Sequence, residues 1–157
     1  MNARIEAPAM LIAPNDLELE ENALGIALLG YPLPDWLERE DFWAGQHQHI
    51  FDAVRELGDR ANLPSVASLL REQGYLAQYD TTPSFAVGRA LHSCDLVRIM
   101  DGADFAMRMG WGVEFERLRE LRLRRGLLDA MRRVEIQLRR DVIDAFEAGR
   151  LLREAMR

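Results

Sequence analysis

Two histidines two residues apart, His47 and His49, have the spacing of a metal-ligating pair. On a helix, residues i and i+2 point about 200° apart, so there the two rings cannot share one ion. His47 also falls on an apolar stripe, which reads as a core histidine with one hydrogen bond. His92 and Cys94 are likewise two apart, with no third ligand nearby. Cys94 therefore reads as a small buried apolar residue. Glu18, Glu20 and Glu21 have the chemistry of a general acid or base. Acids near a helix start are favoured by its dipole, so capping and solvation are expected of them. Trp36, Phe42, Trp43 and Phe51 are spaced for an aromatic pocket or a core, and core is the expectation. No catalytic residue, metal or cofactor is expected from these groups.

Arginine is the remaining chemical resource. All 20 basic residues are arginine, which leaves no Schiff-base lysine and no phosphate-binding lysine. Neither GxxxxGK[ST] nor GxGxxG occurs, so nucleotide hydrolysis by the P-loop route is excluded and no enzyme activity is expected of the chain alone. The formal net charge is −6, unevenly placed. Residues 1–113 carry 8 Arg against 17 acids, and residues 114–140 carry 9 Arg against 5. Within that basic stretch Arg117, Arg124, Arg125 and Arg132 approximate a stripe. They suit a solvated helix laced with ion pairs, a partner-binding surface using the guanidinium fork on carboxylates, or DNA contact. The acidic first part disfavours DNA, because it repels a phosphate backbone unless the basic stretch acts alone.

The elements that position these residues read as all-α: a compact multi-helix head followed by a C-terminal antiparallel helical hairpin. Asn15 and Glu18 are spaced as a capping box, ahead of Leu17, Leu24, Ala27 and Leu28. His47, Ile50, Phe51, Val54 and Leu57 make a clearer stripe, capped by Gly58. Pro64 opens a helix through Leu69 and Leu70 that ends at Gly74. Thr82-Pro83 opens another, with Ala86, Ala90 and Leu91 on one face. No alternating strand pattern is present. From Val113, the apolar residues Phe115, Leu118, Leu121, Leu128, Met131, Val134 and Leu138 trace a long helix. Asp141 is placed to cap a second helix, with Asp144 in its first turn and Ala145, Phe146, Leu152 and Met156 on its apolar face. Two such helices leave apolar surface uncovered, which points to self-association through Leu118, Leu121, Leu128, Met131 and Leu138. The expected division is an arm at 1–13, a helical head at 14–112 and an associating hairpin at 113–157.

One cysteine excludes an intrachain disulfide framework and fits a reducing, cytoplasmic setting. The longest uncharged stretch, Asn22 to Pro34, holds two prolines and is too short to span a bilayer. The first residues lack the apolar run of a secretory signal.

Several segments resemble one known family. Pro14-Asn15-Asp16-Leu17-Glu18-Leu19-Glu20-Glu21-Asn22-Ala23-Leu24-Gly25 is similar to the opening helix of the N-terminal domain of bacterial replicative DNA helicases, the DnaB family. Asp41-Phe42-Trp43, His47-Gln48-His49-Ile50-Phe51 and Leu57 resemble that family's aromatic pair and its His-x-x-Ile-Phe helix. Leu69 to Leu76 resembles its Leu-x-x-x-Gly-x-Leu, and Arg119 to Leu138 with the helix that follows resembles its hairpin. Pro64-Ser65-Val66-Ala67 departs from the family's usual helix opening. The resemblance implies a collar domain that dimerises through its hairpins and docks a replicative helicase, primase or helicase loader, without the ATPase motor. The chain is then either an excised domain of an ATP-dependent DNA helicase or a stand-alone phage-type loader or modulator. A homodimer or higher oligomer is implied, with no membrane association. The alternative is a nucleic-acid-binding regulator that uses the arginine-rich helix.

Overall fold

The computed structural model describes residues 15–77, 91–110, 112–140 and 143–155. Six α-helices lie among them, with a short 3-10 turn before each of the second and third, and the chain is all-α as its sequence suggests. Helix α1 (Leu17–Leu28) starts where Asp16 extends the chain and its carboxylate accepts from the Leu19 backbone N–H at 3.1 Å. The cap is thus Asp16, not the expected Asn15. Helix α2 (Gly45–Leu57) ends at Gly58, whose φ of +54° only glycine adopts readily. Helix α3 (Leu63–Glu72) opens with a reciprocal box. Asn62 Oδ1 accepts from Ser65 N–H and Ser65 Oγ from Asn62 N–H, both at 3.0 Å.

Helix α4 (Ser93–Arg108) has no counterpart in the sequence expectations. The helix expected from Thr82-Pro83 falls largely outside the described residues, and Leu91 pairs in an isolated parallel bridge with Leu76 instead. Asp95 accepts from His92 N–H at 2.9 Å and caps α4. Leu96, Ile99, Ala103 and Ala106 then form its buried face. That face packs on α1 at very close range. A Cβ added to Gly25 would lie 2.4 Å from both the Ala103 Cβ and the Ile99 carbonyl oxygen.

The chain divides into two compact units, with the boundary between Arg122 and Leu123, inside helix α5 (Phe115–Arg139). In the head unit, α1 to α4 and the first turns of α5 surround a core that includes Leu24, Leu28, Phe42, Ile50, Leu70, Leu96 and Leu118. The Phe42 and Phe51 rings lie 5.0 Å apart. Trp36 and Trp43, expected in that core, are instead partly exposed. The loop between α1 and α2 is held from two sides. Arg55 donates to the carbonyls of Pro34 and Leu37 at 2.5 and 2.9 Å. Arg122 donates to Glu38 and lies 3.5 Å from the buried Asp41.

In the tail unit, α5 continues and helix α6 (Ala145–Ala155) follows. Asp144 Oδ1 accepts from Glu147 N–H at 2.8 Å, so Asp144 is the capping residue. The expected cap Asp141 lies outside the described residues. Ala130, Val134 and Ala148 are buried in this unit, while Phe146 is 79% exposed. No helix among the described residues is long and apolar enough to cross a membrane.

Candidate functional site

The acids at the start of α1 do something the sequence did not announce. Glu20 is fully buried, and its carboxylate reaches across to the start of α2. There Ala44 occupies the capping position and has no side chain able to cap. Glu20 instead anchors the backbone that leads into the helix. It accepts from Trp43 N–H at 2.8 Å and from Ala44 N–H at 3.3 Å, and bonds His47 Nδ1 at 2.7 Å. The other ring nitrogen of His47 lies 3.9 Å from Glu21, and Glu21 holds Arg98 of α4 through two bonds of 2.6 and 2.8 Å. That hydrogen bond raises the Arg98 pKa above its ordinary value. The chain Arg98–Glu21–His47–Glu20 therefore ties three helices together.

This network is structural in its chemistry. Both carboxylate oxygens of Glu20 are hydrogen-bonded, Oε1 to Trp43 N–H and Oε2 to Ala44 N–H and His47. His47 is a core histidine, as its stripe position implies, with two carboxylates near it rather than one bond. His49 lies apart, stacked on Tyr75 with ring centroids 3.8 Å apart. Cys94, expected to be buried, is exposed. It sits in the first turn of α4, on the face turned away from the stripe of Leu96, Ile99 and Ala103. Among the described residues no three His, Cys, Asp or Glu side chains gather as a metal site would require.

The surface of α5 and α6 offers a different kind of site. Of the five leucines and methionines expected to associate, Leu118 and Leu121 are buried in the head unit. Leu128 is half-buried, and Met131 and Leu138 are exposed. Leu123, 63% exposed, and Phe146 join the exposed apolar set. The reason for the split is helical geometry. The expected stripe advances mostly in steps of three, and each such step turns about 60° backward around a helix of 3.6 residues per turn. Phe115 to Val134 is thus a screw around α5, and its beginning and end bury different faces. Leu123, Leu127, Ala130, Val134 and Leu138 recur in steps of four and three, a spacing that marks the straight stripe of the tail unit.

The expected partner-binding arginines are also divided. Arg117 donates to Glu120 at 2.5 Å within the head unit. In the tail unit Arg124 is exposed, Arg125 half-buried, and Arg132 lies 3.9 Å from Asp129. Arg119 sits over the Trp36 ring at 5.9 Å. These contacts fit a helix laced with ion pairs, each worth only a few tenths of a kcal/mol (roughly 0.2–0.5).

Residues 12–84 match the family model described as DnaB-like helicase N terminal domain. No curated protein matches the sequence. Among solved structures, the chain is similar to the N-terminal domain of DnaB helicase from Mycobacterium tuberculosis. The two are 23% identical, with a TM-score of 0.66, over 92% of this chain and 99% of that one. The buried Glu20–His47 bond, the Phe42–Phe51 core and the α2 and α3 stripes all lie inside the matched segment. Residues 12–84 are thus a match to the DnaB-like helicase N-terminal domain, and the chain folds as that domain does.

Proposed function

We propose that this chain is a non-catalytic module of a DNA-replication assembly, self-associating through its tail unit and docking a replicative helicase, its primase or a helicase loader. The observation that carries the reading is the apolar stripe of the tail unit. Leu123, Met131 and Leu138 on α5, with Phe146 on α6, stay exposed in the single chain. Large apolar side chains left exposed in number on one unit are the kind of surface a partner covers. The family match supports the kind of partner, and the buried Glu20–His47 network, bonded to backbone N–H groups, supports a structural role for these residues.

The test is molar mass by light scattering on a sizing column, for the full chain alone and mixed with a bacterial replicative helicase and its primase. The expected result is a dimer or larger species that co-elutes with either protein. Leu128→Asp or Met131→Asp should reduce the chain's own mass to that of a monomer. A chain that runs as a monomer and ignores both proteins would overturn the reading. Direct DNA binding is the competing function, and it predicts a steep loss of affinity with salt, set by the number of phosphates neutralised. Absence of binding at low salt removes it.

A further inference from the structure

We draw no further inference here: the strongest candidate, the shallow groove between α1 and α4 lined by Glu18, Glu21, Asn22, Arg98 and Gly102, carries no proposal, because nothing in the structure shows what covers it.

Discussion

Replacing Gly25 by alanine sets two physical effects against each other, and the structure decides the sign. By helix propensity alone, Gly→Ala inside a helix stabilises by about 1 kcal/mol. In α1, however, the new methyl would stand 2.4 Å from the Ala103 Cβ and from the Ile99 carbonyl oxygen. Ordinary contact between such atoms is about 3.5–4.0 Å, so α1 and α4 must part by about 1 Å or more. Neither neighbour can swing aside, one being a Cβ and the other backbone. Overpacking of this kind costs about 1–3 kcal/mol, and more where the neighbours are rigid. The expected net effect is a loss of about 1–2 kcal/mol, or roughly 2–8 °C in Tm for a chain of this size. Urea unfolding followed by far-UV circular dichroism measures it. Gly126→Ala is the control, because a Cβ there meets nothing within 4 Å, and it should stabilise by about 1 kcal/mol. If Gly25→Ala proves as stable as the parent or more so, the close approach of α1 and α4 is refuted.

Three further outcomes are expected. Glu20→Ala leaves Trp43 N–H, Ala44 N–H and His47 without their shared buried acceptor. It should cost about 3–5 kcal/mol in urea unfolding, and Glu20→Gln, which keeps one acceptor oxygen, should cost less. Asp144→Ala removes the cap of α6; a drop of about 1 kcal/mol is expected, and unchanged stability and helicity would argue against that cap. The hydrogen bond from Arg122 holds the Glu38 carboxyl below the usual carboxylate range. A depressed folded-state value stabilises above the unfolded-state value and is lost as pH falls through the depressed one. Parent and Glu38→Gln should therefore differ at neutral pH and converge in acid, as followed by Tm against pH; a gap that persists in strong acid would refute the assignment.

The head's helices were legible where a stripe and a cap coincide. The α2 stripe with Gly58, and Pro64 with Gly74 around α3, needed no tertiary information. Helix α4 is masked in the sequence although Leu96, Ile99, Ala103 and Ala106 keep helical spacing, because Asp, Gly and Arg between them dilute the pattern. Glu20 was legible as an acid at a helix start but not as the anchor of the segment entering another helix, since its partners lie 23 to 27 residues on. Leu118 and Leu138 looked alike in sequence because a spacing of three mimics a straight stripe over one or two turns and turns away over six. The exposure of Phe146 is a tertiary fact, set by what the rest of the chain leaves uncovered.

The contact between Gly25 and Ala103 has a consequence in time. The two residues are 78 positions apart, and a ribosome adds about 5–20 residues per second. Helix α1 therefore emerges about 4–16 s before the helix that covers it. Through that interval Ala23, Leu24 and Ala27, all fully or almost fully buried in the finished head, face water or whatever chaperone meets the nascent chain. The head can close only once α4 has left the exit tunnel, so a pause in translation before residue 103 prolongs the chain's exposure to aggregation and proteolysis without altering a single native contact.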